Sequence, residues 1–221
     1  MVQVQKDHYF NNYDSYGRFS SYFCQIDSVI KSNPEKVLEI GIGNRTVANY
    51  LREFGINLTT CDFDKNLKPD VVADIRSLPL GDNEFDTVLA CEILEHIPFD
   101  DFEEALIELH RVSKKNVIIS VPYSCMYFSF NILLAIPFFK KSINFLARIP
   151  YFFVKIKFDK KNKEHYWEMG KRKYPKRRIK DIIKKHFNIR KDFNLAQNPI
   201  HYFFILEKRK NIQQLNHPKP L

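Results

Sequence analysis

Residue types able to do chemistry gather at four places. Gly41 and Gly43 stand directly after the apolar run Val37–Ile40. Without a Cβ the backbone there can turn sharply and let a ligand come close, and the helix that follows offers unpaired N–H groups. Asp62 ends the next apolar run, 21 residues after Gly41, with Asp64 in reserve. That spacing suits a carboxylate meeting the ribose hydroxyls of a nucleotide seated on the glycine turn. Glu92, Glu95 and His96 follow a later apolar run, at offsets that share one side of a helical turn. His96 is the first candidate for a general base, because an imidazole titrates near neutral pH. Two carboxylates and an imidazole also make a donor set for a divalent metal. The fourth place is His165-Tyr166-Trp167-Glu168, which holds the single tryptophan of the chain. Tyr166 and Trp167 read as a wall of an acceptor pocket, or Trp167 as an apolar anchor for the segment before it. His165 is the second candidate base, and His201 reads as structural.

The elements that must position these residues follow from periodicity. Val47, Tyr50, Leu51 and Phe54 recur at helical spacing after the glycines, giving strand, turn, helix. Asn57 to Cys61, Val71 to Ala73 and Thr87 to Cys91 predict three more strands. Phe102, Ala105, Leu106 and Leu109 mark a helix, and Val117 to Val121 is a β-branched strand buried on both faces. This alternation implies a parallel sheet with crossover helices. Upstream, Phe19, Tyr22, Phe23, Ile26 and Ile30 mark a helix packed on the domain edge; a lid carrying Tyr13, Tyr16 or Phe19 over a ligand is the lesser reading. Downstream, Pro175 opens a helix with Ile179, Ile182, Ile183 and Phe187 on one face. Ile189 to Phe193 and His201 to Leu206 close the sheet as an antiparallel pair, being too close in sequence for a parallel crossover. Between them, residues 123–158 break the pattern with aromatic and aliphatic residues, Pro137, Pro150 and Lys140-Lys141. A helical cap over the site is expected there, with a segment lying on a bilayer as the alternative. The chain divides into an N-terminal helical extension (1–35), a cofactor-binding α/β core (36–122), an insertion or cap (123–170), a helix and strand pair completing the sheet (171–208) and a tail (209–221).

Three further blocks sharpen the function. Ala73-Asp74-Ile75-Arg76-Ser77-Leu78-Pro79 follows the third strand, Phe85-Asp86-Thr87-Val88 opens the fourth, and Cys91-Glu92-Ile93-Leu94-Glu95-His96-Ile97-Pro98 ends it. With the glycine turn, this order resembles the class I S-adenosylmethionine-dependent methyltransferases over residues 36–122, especially the small-molecule group known as methyltransferase type 11. The resemblance implies an α/β, Rossmann-like fold: a seven-stranded, mostly parallel sheet with helices on both faces, its last strand antiparallel, here with a helical, aromatic insertion after strand 5. It implies S-adenosyl-L-methionine as cofactor. Glu39 and the Gly41/Gly43 turn would flank the methionine part, Asp62 would bind ribose, and Asp74-Ile75 would meet the adenine. Cys91 and Glu92 would line the floor beneath the sulfonium methyl. Arg45 departs from the pattern, standing where many members have a third small residue; it points outward or toward the cofactor carboxylate. The Glu-x-x-Glu-His string also resembles metal-dependent O-methyltransferases of quinone synthesis and of small-RNA ends. A metal-free site is nonetheless the main expectation, with a divalent metal on Glu92, Glu95 and His96 as the lesser one. The expected reaction moves a methyl group to a small or carrier-linked metabolite, with oxygen favoured and an anionic or aromatic acceptor. No (Asp/Asn)-Pro-Pro-(Tyr/Phe) string follows the fourth strand, which argues against methylation of exocyclic base amines.

Charge is divided unevenly. Residues 1–125 hold 12 Lys+Arg and 20 Asp+Glu, whereas residues 126–221 hold 23 and 6, so the net +9 combines −8 with +17. A basic half suits an anionic partner. The first rival reading is therefore an RNA methyltransferase using the basic stripe at 171–191. The second is a non-catalytic membrane-surface binder with a methyltransferase-like fold. Cys24, Cys61, Cys91 and Cys125 show no metal-ligand spacing, and dispersed free thiols fit a reducing, cytoplasmic setting, with a peripheral membrane position as the variant. The opening residues lack the apolar core of a signal peptide. The most apolar window, 126–139, is shorter than the ~20 residues a membrane span needs.

Overall fold

A computed structural model describes residue 9, residues 13–149 and residues 164–209. The chain runs β1 (Val37–Ile40), β2 (Leu58–Asp62), β3 (Val71–Val72), β4 (Phe85–Cys91), β5 (Ser113–Pro122), β6 (Met126–Ile136), β7 (Phe139–Ile149), β8 (Phe187–Asn194) and β9 (His201–Lys208). Helices α1 (Tyr16–Lys31), α2 (Thr46–Glu53), α3 (Phe102–Val112) and α4 (Lys176–His186) lie between or before them. Seven strands form one sheet in the order β3-β2-β1-β4-β5-β9-β8. The pairs from β3 to β5 are parallel, and β9 runs antiparallel to both β5 and β8. The sheet is thus the one the resemblance implies, with the last strand reversed.

Alternation along the strands divides the core in two. Leu38, Val88, Val117 and Ile119 pack with α3 and α4, while Val37, Leu89 and Ile118 pack with α1 and α2. Strands with apolar residues on both faces need helices on both faces, which the chain supplies. Register at the start of β1 is pinned by the buried Asp86 carboxylate, which accepts from the Glu35 and Lys36 N–H groups at 3.1 and 3.0 Å. The carboxyl ends of β1, β2 and β4 then open on one edge, where parallel α/β sheets place their ligands.

The insertion after β5 departs from expectation. Its described part is an antiparallel hairpin, β6–β7, separate from the main sheet and paired from Met126↔Ile149 to Ile136↔Phe139. The sequence is apolar at most positions, so the two-residue period is partly masked by a run that also fits helical spacing. Phe128, Phe130, Ile132, Leu134 and Ile136 alternate, and β-branched and aromatic residues favour the extended strand. Among the described residues, none of the hairpin lines the cleft described below. Residues 150–158 lie outside the described residues.

Candidate active site

The glycine turn is fixed by close packing. Gly41 sits at φ +83°, and a Cβ there would lie 2.7 Å from Ile93 Cγ2, so backbone geometry and space both demand glycine. Asp62 ties the turn to the end of β2: its carboxylate accepts from the Ile42 N–H at 2.9 Å and from the Asp64 N–H at 2.8 Å. Burial raises the Asp62 carboxyl above its usual range, and these N–H bonds work against that rise. Each oxygen keeps a second lone pair for a ligand hydroxyl. Arg45 takes the outward course. It stands at φ 65° before α2 and donates to the carbonyls of Leu67 and Lys68, away from the cleft. Asn44 does the capping there, accepting from the Thr46 N–H at 3.1 Å. Beneath the turn Glu39 is buried with Oε2 unbonded, and burial pushes its carboxyl up to about 8.

The opposite wall comes from the residues after β4. Glu92 adopts φ 54°, which directs the chain into two short 3-10 turns before α3. Its carboxylate accepts from Ser120 Oγ at 2.8 Å and lies 3.5 Å from Nε2 of the buried His201. Glu95 is fully buried, and among the described residues neither carboxylate oxygen has a hydrogen-bond partner. Burial, then the neighbouring Glu92 charge, raise its carboxyl well above the ordinary value. Nε2 of His96 and Nε2 of His165 each lie 4.0 Å from Glu95 Oε1, and the two rings meet edge to face with centroids 5.0 Å apart. Nδ1 of His96 lies 2.9 Å from the Glu164 carbonyl, and Nδ1 of His165 lies 3.1 Å from Glu168 Oε1. Both partners are acceptors, since His165 and Lys171 hold the Glu168 carboxyl down at about 2. With each Nδ1 facing an acceptor, a neutral ring at either position carries its proton on Nδ1.

A cleft of about 460 Å³ joins these parts. Glu39, Gly41, Gly43, Asp62, Ile75, Cys91, Glu92, His96 and His165 all line it. Asp74 does not: its carboxylate is held by Arg76 at 2.9 and 2.6 Å, leaving Ala73 and Ile75 at the cleft. Tyr166 and Trp167 also stand outside. Tyr166 is half-exposed, while Trp167 is buried against Phe99 and Phe102 and donates from Nε1 to the Leu94 carbonyl at 3.1 Å. Trp167 is an anchor, and neither Tyr166 nor Trp167, expected as an acceptor wall, lines the cleft. From the N-terminal segment Tyr13, Arg18 and Tyr22 enter the cleft, with the Arg18 guanidinium 3.8 Å above the Tyr13 ring. Tyr16 and Phe19 remain outside it, exposed. Tyr9 and Phe63 are further lining residues missed in the sequence. Phe63 could have been found as the aromatic beside Asp62; Tyr9 carries no local signal. Glu95, His96 and His165 have donor atoms within 4.8 Å of one another and could share one cation. Glu92, expected in that set, instead faces Ser120 and His201.

Fold and site together define an α/β protein that receives a nucleoside-bearing ligand at the carboxyl ends of its parallel strands. Residues 38–121 match the family model described as "Methyltransferase domain", so this stretch of the chain is similar to a methyltransferase domain. No curated protein matches the sequence. Solved structures share the fold. An S-adenosylmethionine-dependent methyltransferase from Clostridium acetobutylicum superposes with a TM-score of 0.57 at 12% identity, over 91% of this chain and 95% of that one. The N-methyltransferase NodS from Bradyrhizobium japonicum, in complex with S-adenosyl-L-homocysteine, gives 0.58 at 9% identity, over 89% and 90%. The 1,6-didemethyltoxoflavin-N1-methyltransferase of Burkholderia thailandensis gives 0.50 at 15%, over 95% and 93%.

Proposed function

We propose that this methyltransferase binds S-adenosyl-L-methionine in the cleft and methylates a hydroxyl oxygen of a small or carrier-linked metabolite. The cleft fits the cofactor. Gly41 lets the turn after β1 pass against Ile93 at the cleft, Asp62 offers acceptors to ribose hydroxyls, Phe63 and Ile75 offer apolar surface to the adenine, and Glu39 offers a carboxyl to the methionine ammonium. The cofactor supplies an electrophilic methyl whose sulfur leaves as a neutral thioether, so the protein's work is alignment, exclusion of water and removal of the acceptor proton. Alignment alone contributes about 7–11 kcal/mol in favourable intramolecular models.

The His96–His165 pair carries the oxygen assignment. His96 lines the cleft, and its Nδ1 lies 2.9 Å from the Glu164 carbonyl, which assigns the proton of a neutral ring to Nδ1. His96 would take the proton of the acceptor hydroxyl at Nε2, while the cofactor, held by Glu39, Asp62, Phe63 and Ile75, would supply the methyl group. Glu168 holds His165 across the same space as the second proton acceptor. The nitrogen alternative has one support: NodS and the didemethyltoxoflavin enzyme are N-methyltransferases of the same fold. The RNA reading rests on the basic stripe, whose charge is partly neutralised where Lys176 and Lys180 pair with Asp192, Lys185 with Glu103 and Arg190 with Glu207.

Calorimetry with S-adenosylmethionine tests the cofactor first; no binding refutes the enzyme reading and leaves the non-catalytic one. His96→Gln should then lower turnover about 10²–10⁴-fold with cofactor affinity kept. Unchanged turnover favours an amine acceptor. Loss of activity on chelation, shared by Glu95→Gln, would move the cluster from base to metal ligation.

A further inference from the structure

The hairpin carries a surface that methyl transfer does not use. Its register puts Phe128, Phe130, Ile132, Ile136, Ile143 and Phe145 on one face, with Phe130 opposite Phe145 and Ile132 opposite Ile143. All six are more than half exposed, and Phe138 at the tip is fully so. Soluble monomers rarely leave so continuous an apolar patch open to water. Leu133, Lys140 and Arg148 alternate onto the other face with Ser129, whose Oγ donates to the Ala196 carbonyl in the β8–β9 turn at 3.0 Å. Arg148 lies 5.4 Å from the Tyr123 ring. That face is thus tethered to the domain at its base, and the apolar face is left without a partner among the described residues.

Charge decides what covers it. Residues 126–149 contain Lys140, Lys141 and Arg148 and no acidic residue. A second copy packing face to face would bring like charges together with nothing to neutralise them, Lys141 lying within the apolar face itself. An anionic bilayer neutralises them: apolar side chains sink below the headgroups while lysine ammoniums reach back to the phosphates. No helix among the described residues is long and apolar enough to cross a membrane, so the contact would be peripheral. We propose that the β6–β7 hairpin is a membrane-surface anchor, seating its apolar face and Phe138 in the interface of an anionic lipid bilayer with Lys140 and Lys141 at the phosphates. This holds whether or not the methyl-transfer reading does.

The test is co-sedimentation of the full chain with vesicles of phosphatidylglycerol and phosphatidylcholine, against phosphatidylcholine alone, with sedimentation velocity run in the absence of lipid. The chain should pellet with the anionic vesicles and much less with the neutral ones. The double variant Phe130→Ser/Ile132→Ser should lower the partition coefficient about tenfold or more, two large side chains no longer leaving water. Lys140→Glu/Lys141→Glu, which alters only exposed side chains, should also weaken it and serves alone if the apolar variant fails to fold. Circular dichroism melts establish folding. The proposal is overturned if the wild-type chain stays in the supernatant with anionic vesicles, or if folded variants pellet as it does. It is equally overturned if velocity runs show a dimer that Phe130→Ser/Ile132→Ser dissolves without any lipid binding, which would give the face to a second copy.

Discussion

Replacing Glu39 with glutamine isolates the carboxyl at the base of the glycine turn. Glu39 is buried, and its folded pKa is raised from 4.5 to about 8, chiefly by desolvation. The folded state therefore binds this proton more tightly than the unfolded one. Its contribution to stability is fully present below pH 4.5 and is lost as pH rises toward 8, at up to about 1.4 kcal/mol per pH unit. Across pH 5 to 8 the wild-type chain should lose about 3 kcal/mol from this group alone. Glu39→Gln stays neutral throughout. Any constant cost of placing an amide there cancels when the difference between the two proteins is followed against pH. Urea unfolding at pH 5, 6, 7 and 8 should show the variant gaining on wild type at every step. Parallel stability profiles would refute the buried neutral acid. A second reading comes from calorimetry: if the cofactor ammonium pairs with Glu39, binding near pH 7 releases a proton, and the enthalpy varies with the ionisation heat of the buffer. In Glu39→Gln that dependence should vanish.

Two more outcomes follow from packing. Gly41→Ala forces an L-residue to φ +83° and a methyl to 2.7 Å from Ile93, so it should cost about 2–4 kcal/mol by urea unfolding and weaken cofactor binding at least about tenfold; wild-type affinity would mean that the turn does not face the ligand. Trp167→Ala empties a fully buried site and orphans the Leu94 carbonyl, so it should cost about 3–5 kcal/mol and lower the melting temperature by about 10 °C, while the acceptor KM of the folded fraction stays put. A raised KM with unchanged melting would return Trp167 to the acceptor pocket.

What could be read in advance was local. Gly41 declares itself because only glycine meets both its dihedral and its clearance, and Asp62 because its carboxylate sits a fixed distance along the chain from the turn it ties down. The sheet order followed from apolar runs too short for helices, spaced by segments long enough for crossovers. What stayed hidden depended on contacts between distant segments or on a blurred period. Asp74 could be named from the resemblance, but its capture by Arg76 is a matter of side-chain competition. Trp167 read equally as a pocket wall or an anchor because aromatic clusters serve walls and cores alike, and burial alone separates the two. The hairpin misled because a run such as Phe128-Ser129-Phe130-Asn131-Ile132-Leu133-Leu134 satisfies both periods. Tyr13 and Arg18 reach the cleft from far upstream with only a weak signal of doing so.

The return path from the hairpin links the surface to the chemistry and also insulates one from the other. Residues 164–170 are stitched to the exit of β5: Met169 N–H donates to the Pro122 carbonyl at 3.0 Å, and Ser124 N–H donates to the Met169 carbonyl at 2.8 Å. Gly170, at φ +89°, passes so close that a Cβ would meet the Ser124 carbonyl at 2.5 Å. Trp167 anchors the same stretch in the core, and His165 projects from it into the cleft. The position of His165 is thus set by the domain and not by the hairpin, which ends 16 residues earlier at Ile149. Substitutions on the apolar face should therefore change where the protein sits and leave turnover of a water-soluble acceptor intact, so that anchoring and catalysis can be tested apart. Pro122, at the root of the hairpin, also lines the cleft, so a chain anchored by this hairpin would hold that rim of the cleft close to the bilayer.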